Sequence, residues 1–182
     1  MFSQVPGVQI RAGETEVATL RRAEDAGVAV AHVEALGADP AFVGGPFFIT
    51  RHVAGETVGR RVLRLVEATP GLGQKVAHGI GASMARLHAV DPALASPNLE
   101  RPVHGQSATE AALVYVRAQL DVLLQPSPVF ELTYAWLTSH QPSASRLAVV
   151  HRDCRNGNII VGADGLRAIL DWEVAHIGDP ME

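Results

Sequence analysis

Residues 149–173, VVHRDCRNGNIIVGADGLRAILDWE, constrain this chain more than any other stretch. Two short apolar runs, Asn158–Gly162 and Leu166–Asp171, flank Ala163-Asp164-Gly165, a turn of the kind that closes a β-hairpin. Folding the chain about Asp164 sets Asn158 opposite residue 170, so Asn158 and Asp171 meet at the open end. Asp153 stands on the incoming loop and can curl back to the same end, and His151 follows the apolar run Leu-Ala-Val-Val. The spacing converges two carboxylates and a carboxamide on one spot. Hard oxygen donors of this kind suit Mg²⁺, which takes few protein ligands and keeps room for substrate phosphates. A carboxylate not used by the metal can accept a proton from an attacking hydroxyl. Together these are the parts of metal-assisted phosphoryl transfer. Taken singly, Asp153 and Asn158 are also ordinary turn residues; Asp171 across a glycine-marked hairpin is what favours a site.

The rest of the chain reads as helices with a few strands, an α+β pattern. ETEVATLRRAEDAG places Val17, Leu20 and Ala23 near helical spacing, with Gly27 as a stop. VAVAHVEAL and GGPFFIT predict two strands, and residues 56–68 a short helix carrying Arg60, Arg61 and Arg64. GQKVAHGIGASMARLHAV predicts a helix with Val76, Ile80, Met84 and Leu87 in one stripe, ended by Asp91-Pro92. SATEAALVYVRAQLDVLL opens on a capping box, Ser107 with Glu110. Its expected buried face is Leu113, Val116, Leu120, Leu123 and Leu124. A further helix is expected over 128–140.

Composition excludes several classes. A net charge of -4 without a long basic run does not suggest a nucleic-acid partner. No apolar run approaches the roughly 18 residues needed to span a bilayer, and the N-terminal stretch lacks the pattern of a signal peptide. The single cysteine, Cys154, allows no internal disulfide. A cytoplasmic protein with no membrane partner is the expectation.

His151-Arg152-Asp153 with Asn158 in register resembles the kinase catalytic loop, H-R-D-x-x-x-x-N. Asp171-Trp172-Glu173 resembles the metal-binding triplet that replaces D-F-G in small-molecule kinases. The sequence is similar to the aminoglycoside phosphotransferase and choline kinase superfamily, and within it to the branch related to the kinase-like domain of some acyl-CoA dehydrogenases. That branch commonly shows Gly where this chain has Arg152 and an aromatic where it has Cys154. The resemblance implies a protein-kinase-like α+β fold, with a partial N-lobe over 1–53 and a C-lobe over 54–182. It implies Asp153 as catalytic base, Asn158 and Asp171 as Mg²⁺ ligands, and ATP as cofactor. GPFFITRHVAGET resembles the hinge, which makes Thr50 the gatekeeper and turns the backbone of Arg51 and Val53 to adenine. ETEVATLRR resembles the helix whose glutamate meets the phosphate-binding lysine, which gives Glu16 that role. GDPME resembles the segment that anchors the loop through Asp179.

The chain also departs from the family. The glycine-rich loop and strand lysine have no counterpart, since Lys75 is the only lysine, and the helices that build the substrate side do not follow GDPME. On this reading the chain is a fragment of a longer protein. The expected function is ATP-dependent phosphorylation of a small-molecule hydroxyl. Two alternatives stand beside it: a non-catalytic binding module, and a metal-dependent hydrolase using His151, Asp153, Asp171 and His176. Other residues carry plainer readings. His151 reads as a structural hydrogen-bonder, Cys154 as a packing thiol and Trp172 as a core residue. Arg152 reads as either a solvated charge or a loop anchor. The Arg60, Arg61 and Arg64 group reads as a solvated helix face, with an anionic-substrate role as the lesser possibility.

Overall fold

Gly27 sets the end of the first helix. Its φ of +76° lets α1 (Glu14–Asp25) close with Val28 N–H on Ala23 O at 2.9 Å and Gly27 N–H on Glu24 O at 2.8 Å. These are the paired bonds of a Schellman cap, and they turn Val28 into the core. The structure is a computed structural model and describes residues 13–123, 125–142 and 146–181. The segment ahead of Gly13 and the side chain of Leu124 lie outside the described residues.

After α1, β1 (Val33–Gly37) pairs antiparallel with β2 (Phe47–Thr50), and the short α2 (Pro40–Val43) lies in the connection. The strand expected from Val28 onward begins only at Val33, because the preceding backbone is bonded elsewhere: Ala29 O accepts from Ile169 N–H at 2.8 Å. Four helices follow: α3 (Gly59–Ala68), α4 (Leu72–His88), α5 (Ala108–Asp121) and α6 (Pro128–Ser139). The chain then forms β3 (Ala148–Val150), β4 (Ile159–Gly162), β5 (Gly165–Ile169) and β6 (His176–Gly178). β3 pairs with β6 and β4 with β5, both antiparallel.

The β4–β5 hairpin is the centre of the packing. All four residues of β4 are buried, and α4 packs across β5. One apolar cluster joins Val17 and Leu20 of α1, Leu72 and Leu87 of α4, Ile159, Ile169, Trp172 and Ile177. Burying each large aliphatic side chain contributes roughly 1.5–3 kcal/mol, so helix, hairpin and β6 are held by shared side chains rather than by sheet hydrogen bonds. The expected stripe of α4 is present, with Val76 and Leu87 buried and Ile80 and Met84 half-buried.

Sequence reasoning overestimated the buried face of α5. The capping box is formed, with Glu110 N–H on Ser107 Oγ at 3.1 Å and Ser107 N–H on Glu110 Oε2 at 2.7 Å. Of the described residues of the expected face only Leu113 is buried; Val116 and Leu123 are exposed and Leu120 is half-buried. The reason lies in what α5 packs on, chiefly α6 and β6, and α6 has no buried residue of its own. Phe130, Leu132 and Trp136 of α6 point outward. No helix among the described residues is long and apolar enough to cross a membrane.

The segment after β2 lies flat on the hairpin. Glu56 N–H donates to Val161 O at 2.9 Å and Val161 N–H to Glu56 O at 3.0 Å. A Cβ at Gly55 would come within 2.5 Å of Ile160 Cγ2 and 2.9 Å of Val161 O, so only glycine permits this approach. Gly55→Ala is expected to lower unfolding free energy by about 1–3 kcal/mol, read from the urea midpoint. Gly45→Ala, at a site with nothing within 4 Å of the added carbon, is the control and shifts the midpoint little.

Candidate active site

The backbone of Leu170 joins the loop to the hairpin. Its N–H donates to Asn158 O at 2.8 Å, which extends the β4–β5 pairing and sets Asn158 opposite residue 170 as the turn arithmetic required. The turn itself is one residue tighter than expected: Gly165, at φ +134°, pairs with Gly162 inside the ladder. The Leu170 carbonyl accepts from His151 Nε2–H at 3.0 Å, and His151 Nδ1 accepts from Asp153 N–H at 3.3 Å. The two bonds fix the neutral tautomer with its proton on Nε2. The ring is 1% exposed and meets Trp172 edge to face, with centroids 4.7 Å apart. Burial holds the imidazole below its usual pKa, against the opposing pull of the Leu170 carbonyl, Asp153 and Asp171. His151 is thus a buried spacer that carries the loop.

Asp153 and Asn158 are brought into direct contact. Asn158 is buried, and its Nδ2 donates to Asp153 O at 3.0 Å and to Asp153 Oδ2 at 2.8 Å. The carboxamide is thereby oriented, leaving Oδ1 as its remaining acceptor. Asp171 follows Leu170 with φ +66°, a conformation uncommon outside glycine, and is exposed. Asn158 Oδ1 and the Asp171 carboxylate are hard oxygen donors beside a partly open loop, a set that suits Mg²⁺. Among the described residues no three His, Cys, Asp or Glu side chains gather into a metal-binding group. The cluster that a hydrolase built on His151, Asp153, Asp171 and His176 would need is absent there.

Glu16 is half-buried on α1 and lies within electrostatic reach of Asp171 and Glu173. Burial first, then Glu173 and Asp171, raise its pKa above the ordinary carboxylate value. Lys75 is at the other end of the hairpin, where a Cβ at Gly165 would lie 3.6 Å from Lys75 Cβ. Thr50 closes β2 and is exposed. Arg51 N–H donates to His32 O at 2.8 Å, and its Nε to Glu34 Oε1 at 2.8 Å. Val53 is half-buried. Nothing in these contacts brings Thr50, Arg51 or Val53 against Asp153.

Four more residues of this region give further results. Arg152 takes φ +68°, the left-handed region that glycine occupies freely. Its guanidinium lies over the Tyr115 ring, 4.1 Å from the centroid, so it anchors the loop to α5 rather than standing in solvent. Cys154 is half-buried against the core, and burial, then Asp153, raise its thiol pKa, as befits a packing residue. Trp172 is buried, and its Nε1–H donates to Ile169 O at 2.9 Å. Sequence reasoning passed over Arg155. Its Nε lies 3.1 Å from Asp153 Oδ1 and 3.2 Å from Oδ2. Its position two residues beyond Asp153 on a tight loop was the available signal.

A β-hairpin behind a loop that carries Asp and Asn, with a glutamate of a preceding helix within electrostatic reach of the next aspartate, is the arrangement of a kinase-like fold. The chain belongs to the phosphotransferase enzyme family, whose model matches residues 6–182. It is 26% identical over 174 residues to mouse acyl-CoA dehydrogenase family member 10, a match that covers 92% of this chain and 16% of that protein. Among solved structures it is similar to a choline/ethanolamine kinase family protein from Mesorhizobium loti, at TM-score 0.58 and 22% identity over 97% of this chain and 53% of that one. It is also similar to the GDP complex of aminoglycoside 2'-phosphotransferase-IIIa, at TM-score 0.63 and 17% identity over 91% of this chain and 59% of that one. At these identities the solved structures establish the fold. The chain spans less than two thirds of the length of each relative.

Glu16→Gln is expected to raise the melting temperature at pH 7 by a few degrees. A folded-state pKa raised above the unfolded one means stability that is full below the unfolded value, near 4.5, and lost as pH rises through the folded value. The gain from the substitution therefore shrinks as pH falls toward 4.5. Thermal unfolding of both proteins across that range checks it; equal melting temperatures at pH 7 would remove the repulsion argument.

Proposed function

We propose that this chain carries the catalytic loop of a phosphotransferase that passes the γ-phosphate of ATP to a hydroxyl group of a small molecule. The observation that carries the reading is the Asn158 side chain, which donates to the Asp153 carboxylate and main chain while Leu170 bonds its backbone beside Asp171. Asp153 accepts the acceptor's hydroxyl proton as the new O–P bond forms and the bond between the β- and γ-phosphates breaks, releasing ADP. Asn158 Oδ1 and Asp171 would hold Mg²⁺. When bound, the ion neutralises phosphate charge and orients the transferring group. His151 keeps the loop at fixed height above the hairpin, and most of the catalysis is positioning and charge neutralisation. The backbone of Arg51 and Val53, beyond the gatekeeper Thr50, would face adenine. Glu16 stands where the family's glutamate meets a phosphate-binding lysine, a residue for which this sequence has no counterpart. The nucleotide assignment is supported by relatives solved as GDP and ADP complexes. A small-molecule hydroxyl partner, with neither nucleic acid nor membrane, and a cytoplasmic setting complete the reading.

One observation favours a second reading, a nucleotide-binding module without turnover. Glu16 feels the charges of Asp171 and Glu173 while Lys75, the one lysine of the sequence, sits at the hairpin's closed end.

Calorimetric titration of the 182-residue chain with Mg-ATP, beside Asp171→Ala, tests the shared premise. Binding that requires both Mg²⁺ and Asp171 is expected; a folded chain that binds Mg-ATP equally well without Asp171 would sink the metal assignment. Asp153→Asn then separates the two readings. In a chain with turnover it is expected to lower kcat by about 10²–10⁴-fold with nucleotide affinity kept, and turnover left intact would refute the base assignment.

A further inference from the structure

Arg155 is a cation in the middle of the site with most of its donors unused. Only Nε engages Asp153; both Nη groups lack a hydrogen-bond partner among the described residues, and the side chain is 61% exposed. The guanidinium is folded back over Gly157, where an added Cβ would lie 2.5 Å from Nη1. The main chain there is shaped to receive the arginine in this position, yet the arm is long and free to swing outward.

A second group of cations borders the same loop. Gly59, at the start of α3, abuts Asn156: a Cβ there would lie 3.5 Å from the Asn156 carboxamide. From that contact α3 leads away with Val62 buried and Arg60, Arg61 and Arg64 exposed. Arg60 and Arg64 are one helical turn apart, where like charges repel. Of the three, Arg61 alone has a carboxylate at ion-pair distance among the described residues, Glu56 at 4.0 Å. In a chain of net charge -4, three exposed arginines on the helix that starts against Asn156 are a local concentration of positive charge, and such a concentration attracts anions.

We propose that Arg155, backed by Arg60, Arg61 and Arg64, selects an acceptor that carries an anionic group, a carboxylate or a phosphate, near the hydroxyl to be phosphorylated. The inference rests on the phosphotransferase reading and names the substrate class for it. Without ligand the guanidinium closes on Asp153. An incoming anion offers it two oxygens for its free Nη donors, a bidentate match that arginine favours. The same movement releases the Asp153 carboxylate to face the hydroxyl. An acceptor bearing an ammonium group meets four arginines instead and is disfavoured.

The test follows the Arg155 Nε–H resonance of the 182-residue chain by NMR during titration with inorganic phosphate, sodium acetate and choline chloride at constant ionic strength. Phosphate or acetate is expected to shift it saturably, and which of the two binds tighter assigns the anion; choline is expected to leave it unmoved. Followed through the neighbouring backbone amides, Arg155→Gln is expected to weaken anion binding by about tenfold or more. Arg155→Lys keeps most of it, and the Arg60→Gln/Arg64→Gln pair weakens it severalfold. These side chains are exposed, so the variants fold. A non-saturable response, anion affinity unchanged in Arg155→Gln, or saturable choline binding in place of anions overturns the proposal. Mg-ATP calorimetry on the same samples separates the two levels. Asp171-dependent nucleotide binding with an anion-insensitive Arg155 ends the anionic-acceptor inference alone. Anion capture without nucleotide binding overturns the phosphotransferase reading and the acceptor assignment with it.

Discussion

The site hangs on the main chain of one residue. Leu170 gives its N–H to Asn158 O and its C=O to His151 Nε2–H, so strand, loop and buried imidazole are fixed by the same residue. Without the first bond Asn158 loses its place opposite Asp171's neighbour; without the second, His151 loses the partner that makes its burial tolerable. The loop is a rigid bracket because its polar groups are spent on one another inside an apolar shell of Ile159, Ile169 and Trp172.

That bracket presents uncompensated charge. Asp171 is turned outward by its left-handed backbone, and behind it Glu16 and Glu173 add negative potential. A cation placed there gains from all of these groups, whether a metal ion or a side chain. At Asp153 the balance reverses, with Arg155 on the carboxylate and the exposed α3 arginines on the helix that begins against Asn156. Charge around the loop is thus unevenly distributed, acidic near Asp171 and basic at Arg155.

The α5–α6 pair shows what a good local pattern leaves open. The capping box begins α5 as its residues specify, and Arg152 stacked on Tyr115 ties that helix to the loop that carries Asp153. Yet Val116 and Leu123 are exposed, as are Phe130 and Trp136 on α6. Periodicity reports which face of a helix is apolar; it carries no information on whether another element arrives to cover it. The solved relatives are longer than this chain, which spans 53–63% of the lengths of those compared.

The sequence by itself determined the hairpin, the placing of Asn158 opposite residue 170, the helix caps and the family. Each of these depends on residues close in the chain, where turn chemistry, period and motif spacing suffice. His151 as spacer, Cys154 as packing thiol and Trp172 as core residue were legible for the same reason. Tertiary structure decided the rest. Arg152 became an anchor only because α5 brings Tyr115 beneath it, and Arg155 became part of the site only because the loop folds its guanidinium onto Asp153. Glu16 found two carboxylates, and Lys75 lay at the far end of the hairpin. Those outcomes turn on which side chains meet across long stretches of chain, and such meetings are set by packing, which no local pattern encodes.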